Sequence, residues 1–197
     1  MPIITDIFFD LDHTLWDFDR NSEKAFEALL AAHQIPIALE DFLEVYIPIN
    51  EQYWVAYREN KVSAQQLKIG RLKDTFKLFA IKLTDLDLQL MAEQYLKLLT
   101  EFNSLFADAI PTLQYLYPQY NLHIITNGFD KVQQIKIDRS GLRSYFKSVT
   151  TSEEVGVKKP DAKIFYQALD KAKAKAHKTM MIGDNYEADI QGALNIG

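Results

Sequence analysis

The sequence predicts an α/β protein, a parallel sheet covered by helices on both faces and interrupted after its first strand by an all-helical insert. Three observations carry that prediction. Ile3, Ile4, Ile7, Phe8 and Phe9 form a nearly continuous apolar run near the N-terminus, the pattern of a strand buried on both faces. From about Asn21 to about Phe106 apolar residues recur with helical spacing and almost no strand signal appears. Beyond that stretch, short apolar runs and helical patterns alternate, which implies parallel strands joined by helices.

The first strand ends at Asp10-Leu11-Asp12. Side-chain direction alternates with period two along a strand, so the two carboxylates are aimed the same way. Held side by side they repel, unless a cation shares them. Alone, the pair also describes a strand-end turn with solvated acids. Leu15-Trp16-Asp17-Phe18-Asp19 is too acidic and aromatic to continue a buried strand and reads as a connector.

Phe26, Leu29, Leu30 and His33 then set one helical face, with Asn21 or Ser22 available as its N-cap. A second helix is expected over roughly Glu40 to Asn60, bent or interrupted near Pro48. Ser63-Ala-Gln-Gln66 is a capping-box pattern opening a third, with Leu72, Phe76 and Phe79 on one face. Thr84-Asp-Leu-Asp87 starts a fourth, carried by Leu88, Met91, Tyr95, Leu98 and Phe102. Four consecutive helices with short connections predict a helical bundle over residues 16–106, inserted in an α/β core of residues 1–15 and 107–197.

In the second half Pro111 suits the first turn of a helix containing Leu113, Leu116 and Tyr117. Leu122–Asn127 is a buried strand followed by Gly128, and a helix from about Asp130 ends at Ser140-Gly141. Ser148–Ser152 is a weaker strand. Asp161 caps a helix with Ile164, Phe165, Ala168, Leu169 and Ala172 inward; Thr179–Gly183 is a fourth strand, and a last helix runs from about Tyr186 to Asn195. In such sheets, sites form beyond the carboxyl ends of the strands. Asp10, Asp12, Thr126, Asn127 and Asp184 all sit at expected carboxyl ends, so separate strands converge on one site.

Composition excludes several classes. The 197 residues hold one good core with a modest insert, at 48% hydrophobic and 25% charged residues. A net charge of −5 with no basic tract argues against extended nucleic-acid binding. The lysines of Lys171–Lys178 read as a solvated helix end favoured by the helix dipole. The absence of Cys excludes disulfides and thiol catalysis and fits a cytoplasmic protein. No apolar run approaches membrane-spanning length.

Four pieces stand in order: Asp10-x-Asp12-x-Thr14, Thr126-Asn127-Gly128, Lys159-Pro160, and Gly183-Asp184-x-x-x-x-Asp189. Together they resemble the haloacid-dehalogenase superfamily along the whole chain, with a Rossmann-like core and the helical insert of its capped members. The resemblance implies Asp10 as the nucleophile forming an aspartyl-phosphate and Asp12 as the acid, then base. It implies Thr126 as a hydrogen-bond partner of a phosphoryl oxygen, with Asn127 and Gly128 beside it. Lys159 would neutralise charge, and the following Pro160 selects it over Lys158. Asp184 would bind Mg²⁺ with the Asp10 carboxylate and the Asp12 main-chain carbonyl, and Asp189 would support them from behind. The residue types agree, since several carboxylates call for a hard dication and phosphoryl transfer needs charge stabilisation above all.

Two departures stand out. His13 occupies a position where many members have Gly, and is expected to face away from the chemistry. The chain stops at Gly197, where relatives usually continue with another strand and helix; the alternatives are a shortened sequence or a sheet without its outer elements, the latter leaving Thr179–Gly183 as an exposed edge.

An acid at position 12 favours a phosphatase over a dehalogenase. A phosphomutase or phosphotransferase of the same fold, or a non-catalytic interaction protein, are the alternatives. The stretches Ile125–Phe129, Gln133-Gln134, Ser140–Arg143 with Tyr145-Phe146, and Ser152–Pro160 resemble bacterial pyrimidine 5′-nucleotidases. That resemblance implies a small phosphorylated metabolite, a nucleoside monophosphate, as partner; it does not choose between monomer and homodimer. In the insert Asn50, Trp54, Tyr57 and Arg58 fall near one helical face, where Trp54 and Tyr57 either stack a base or pack the bundle, and Arg58 or Arg71 meets an acidic or carbonyl group. Phe129 is a further candidate to border the substrate.

Overall fold

The computed structural model describes residues 3–197. They form two compact units, one taking in the chain up to Asp19 and again from Asn103, the other Arg20–Phe102. The first contains β1 (Asp6–Phe9), β2 (Asn121–Thr126), β3 (Phe146–Thr151) and β4 (Thr179–Ile182). All pair in parallel, in the order β3-β2-β1-β4. Every residue of β1 is buried, as befits a central strand covered on both faces. It begins only at Asp6; Ile3 is 80% exposed, so the apolar run overestimates the strand. Asp6 is the buried exception to apolar filling, and its carboxylate accepts hydrogen bonds from Thr5, Asn121 and His123. Among the described residues β4 lies at the edge of the sheet and is only partly covered.

The second unit is helical: α1 (Phe18–Ala32), α2 (Leu39–Arg58), α3 (Ala64–Leu78) and α4 (Asp85–Leu99). Phe26, Leu29 and Leu30 are buried, while His33 lies exposed beyond the end of α1. Neither Asn21 nor Ser22 caps that helix. Both lie inside it and are buried, with Ser22 Oγ 2.8 Å from the Tyr95 hydroxyl of α4. α2 runs without interruption through Pro48, because packing of Phe42 and Tyr46 on one side outweighs one missing hydrogen bond. The expected capping box forms at Ser63/Gln66, and a second one stands at the expected helix start, Thr84/Asp87. An aromatic cluster fills the unit, with Phe26 4.3 Å from Tyr95 and 4.4 Å from Tyr46, centroid to centroid.

Returning to the first unit, α5 (Ala109–Leu116) precedes β2 and buries Leu113, while Tyr117 stands at its C-cap and is half exposed. α6 (Asp130–Arg139) follows β2 and ends where Gly141 takes φ +73°, a conformation that favours glycine. α7 (Ser152–Val155) is a single turn after β3; α8 (Ala162–Ala172), capped by Asp161 on the Lys163 N–H, lays Ile164, Phe165 and Ala168 against Phe8 and Ile125 of the sheet. After β4 the expected long helix is instead a π-helical turn (Tyr186–Gln191) running into α9 (Gly192–Leu194). The segments on either side of the helical unit pair with each other within the first unit, Asp17 N–H donating to Ser104 O at 3.1 Å and Phe106 N–H to Leu15 O at 3.1 Å.

Candidate active site

The carboxyl ends of β1, β2 and β4 deliver the key side chains to one place. Asp10 follows β1 directly, and its N–H still donates to Ile182 O of β4 at 2.9 Å, which keeps it in sheet register. Its carboxylate meets Lys159, which lies between α7 and α8 and is almost wholly buried. The Lys159 ammonium spends its three donors on Asp10 Oδ1 (2.6 Å), Asp189 Oδ1 (2.6 Å) and the Ile125 carbonyl (2.9 Å). Burial alone would depress this ammonium's pKa, but the Asp10 and Asp189 carboxylates outweigh it and hold the value above that of an ordinary lysine. Burial pushes Asp10 the other way for a carboxyl, up to about 7, against the pull of Lys159 and with the charges of Asp189 and Asp12 adding to the rise.

Asn127 holds the backbone of Lys159 in place. Its side-chain Oδ1 accepts from Lys159 N–H at 2.8 Å and its Nδ2 donates to Lys159 O at 3.0 Å. The neighbouring Thr126 ends β2 and is buried, with Oγ1 accepting from Gly128 N–H (3.1 Å) and Gln133 Nε2 (2.7 Å). Both lone pairs of that hydroxyl are therefore taken, and its own proton is the one left to donate. Gly128 and Gln133 are so close that a Cβ on Gly128 would lie 2.4 Å from Gln133 Nε2.

Asp189 reaches the site from the π-helical turn, an irregularity that recurs at functional sites. Its Oδ2 accepts from Asn185 N–H at 3.1 Å, while Asn185 Oδ1 caps the turn by accepting from Ala188 N–H at 2.8 Å. Asp184 is exposed, and one oxygen each of Asp10, Asp184 and Asp189 lie within 4.8 Å of one another. Burial raises the pKa of Asp184, helped by Asp189 and opposed by His13 and Lys159. Three carboxylates against one ammonium leave an excess of two negative charges when ionised, and hard oxygen donors are what Mg²⁺ takes. The donor set thus fits a divalent cation.

The carboxylate of Asp12 lies outside that trio. Lys136 Nζ donates to its Oδ1 at 2.6 Å and Gln133 Nε2 to its Oδ2 at 3.0 Å. Sequence reasoning assigned no role to Lys136, and quoted Gln133 only for its resemblance. The available signal was Gln-x-x-Lys in the helix straight after Thr126-Asn127-Gly128, which puts both side chains on one helical face.

His13 has φ +60°, which explains why glycine suits the position and why histidine, unlike a β-branched residue, is accepted there. Its ring stands 3.8 Å from Asp19 and tilts on Phe18, and it is among the groups that oppose the rise of the Asp184 pKa.

The remaining candidates belong to the helical unit. Tyr57 is buried with Trp54 edge-on to it at 5.8 Å, and Arg58 is half-buried. Arg71 is buried among Tyr46 and Tyr95 and donates to Asn50 Oδ1 at 2.7 Å. In the sheet unit, Phe129 is buried at the start of α6.

The profile of the haloacid dehalogenase-like hydrolases matches residues 6–197. The chain is 34% identical to pyrimidine 5′-nucleotidase YjjG of Escherichia coli, over 97% of this chain and 82% of that protein. It is also 34% identical to pyrimidine 5′-nucleotidase PynA of Streptococcus pneumoniae, over 97% and 80%. The crystal structure of the HAD-hydrolase YfnB of Bacillus subtilis, bound to magnesium, superposes with a TM-score of 0.92 at 28% identity, covering 99% of this chain and 86% of that one. With the ordered motifs meeting at the ends of parallel strands, these likenesses decide the family: the chain belongs to the haloacid dehalogenase-like hydrolases.

Proposed function

We propose that the protein is a Mg²⁺-dependent phosphomonoesterase that acts through an aspartyl-phosphate on Asp10, with nucleoside 5′-monophosphates as its substrates. The observation that carries the reading is the Lys159 ammonium seated between Asp10 and Asp189, beside the exposed Asp184. The nucleotidase names of YjjG and PynA support the substrate class.

In the first half-reaction an Asp10 carboxylate oxygen attacks phosphorus. The bond from phosphorus to the ester oxygen breaks, and the proton of Asp12 passes to that oxygen, releasing the alcohol. In the second, water attacks the same phosphorus, its proton passes to Asp12, and the bond to Asp10 breaks to regenerate the carboxylate. Thr126 donates its free hydroxyl proton to a phosphoryl oxygen, and Lys159 balances the charge that Asp10 and the phosphoryl group share. Asp10, Asp184 and the Asp12 carbonyl would hold Mg²⁺, with Asp189 beside them; when bound, the ion neutralises phosphoryl charge and aligns the group for in-line attack. Within the helical unit Trp54, Tyr57 and Arg58 are the candidate substrate contacts.

Purified protein is expected to hydrolyse p-nitrophenyl phosphate and uridine 5′-monophosphate with Mg²⁺ and to stop in EDTA. Asp10→Asn should lower turnover by ~10³-fold or more while leaving the circular dichroism spectrum unchanged. Undiminished turnover by that variant would remove Asp10 as nucleophile.

A further inference from the structure

Asp12 lies beyond β1 in an isolated bridge with Trp16, outside the four-stranded sheet, so something other than the sheet must set its side chain. Both its oxygens are held from one turn of α6, Oδ1 by Lys136 at 2.6 Å and Oδ2 by Gln133 at 3.0 Å. Two donors on two oxygens fix both the place of the carboxylate and its rotation about the bond to Cβ. Gln133 and Lys136 are themselves almost fully buried, and the Lys136 ammonium lies 4.0 Å from the Trp16 ring centroid and 5.2 Å from that of Phe18. This aromatic floor holds a cation by its π face and leaves Lys136 little freedom. Gln133 also donates to Thr126 Oγ1 at 2.7 Å, so one amide spaces the acid–base carboxylate from the phosphoryl-binding hydroxyl. A carboxylate offers about four acceptor sites. The clamp uses two of them, so each oxygen keeps a lone pair with which to take or give a proton without letting go.

We propose that Lys136, with Gln133, is a positioning residue that sets the orientation of Asp12 for proton transfer to and from the ester oxygen. The proposal rests on the reading of Asp12 as acid–base given above. Its test is therefore chosen to separate the two. An aryl ester releases an oxygen that is stable without a proton, whereas a nucleoside 5′-oxygen needs one as it departs. Misplacing the acid must hurt the second far more than the first. The quantity to read is kcat/KM, which reports the first half-reaction, for p-nitrophenyl phosphate and for uridine 5′-monophosphate, with Mg²⁺.

Lys136→Met keeps the stem over Trp16 and removes the ammonium. It is expected to lower kcat/KM for uridine 5′-monophosphate by roughly 30- to 100-fold and for p-nitrophenyl phosphate by no more than about threefold. Lys136→Arg should recover part of the loss. Asp12→Asn should show the same preference between esters, and the double variant should be no worse than Asp12→Asn alone. Because both esters are measured on one preparation, partial misfolding lowers both rates together and leaves their ratio untouched. Equal losses on the two esters in Lys136→Met, or additive losses in the double variant, overturn the clamp. If Asp12→Asn itself fails to discriminate the esters, the acid–base reading falls and the clamp with it.

Discussion

At the scale of single residues, the demand on the molecule is to keep like charges close without losing the fold. Lys159 reconciles Asp10 with Asp189, and Gly183 makes the approach of Asp189 possible, since a Cβ there would stand 2.3 Å from Asp189 Oδ2. Asp189 is buried and held at both oxygens, so it can yield only by giving up its bonds to Asn185 or Lys159. Gly183→Ala is accordingly expected to cost about 1–3 kcal/mol in urea unfolding and to reduce kcat by at least ~10-fold. A variant with wild-type kcat would show that Asp189 need not hold its present place. That Asp10, Lys159, Asp184 and Asp189 come together was legible in the sequence, through ordered motifs whose resemblance to a family the residue types and strand ends supported. Lys136 was not. A lysine in a helix is ordinarily solvated, and only burial against Trp16 distinguishes it from the others.

Among the elements, the helix starts marked by reciprocal side-chain bonds were readable, since a cap is a local device. Ser63 Oγ accepts from Gln66 N–H at 3.2 Å while Ser63 N–H donates to Gln66 Oε1 at 2.8 Å. Ser63→Ala should lower stability by about 1 kcal/mol, read as a smaller denaturation midpoint with unchanged slope. An unchanged midpoint would mean the start of α3 is held by packing alone. The misread elements are those where tertiary contacts compete with local signals. Ser22 looks like a cap but bonds Tyr95, 73 residues away, and Pro48 looks like a break but is carried by buried Phe42 and Tyr46. The widening of the last helix into a π-turn leaves no local signature. It places Asp189 toward Lys159 and lets the same residue accept from Asn185.

Across the whole molecule, the opposite ends of the strands carry a second buried polar group. Burial depresses the pKa of His123 against the raising effect of Asp6, and the hydrogen bonds of Thr5, Asn121 and His123 hold Asp6 below the usual carboxylate range despite its burial. A neutral imidazole must then donate from Nε2 to Asp6 and accept at Nδ1 from the Ser148 hydroxyl, at 3.2 and 2.8 Å. With His123 lowered in the folded state, the unfolded chain takes up the proton first as pH falls. The contribution is present above the ordinary imidazole value of about 6.5 and is lost as pH drops toward the folded value; that of Asp6 is lost lower still, below the ordinary carboxyl value near 3.9. Asp10, raised to about 7, acts in the opposite sense over the same window, so the His123 part is read as a difference: the melting temperature of the wild type relative to that of His123→Asn should fall between pH 7.5 and 5.5. An identical slope in that variant would place the titration elsewhere.

The sequence by itself determined the order of strands and helices, the helical insertion after β1 and the acidic residues at the strand ends, because apolar periodicity and motif spacing are properties of neighbours along the chain. Tertiary structure alone decided that Lys159 stands between Asp10 and Asp189, that α6 holds both oxygens of Asp12, and that Arg71 is buried among tyrosines. Those arrangements join residues far apart in the chain. Their energies come from burial and from charges brought within hydrogen-bond distance, which no short window of sequence contains.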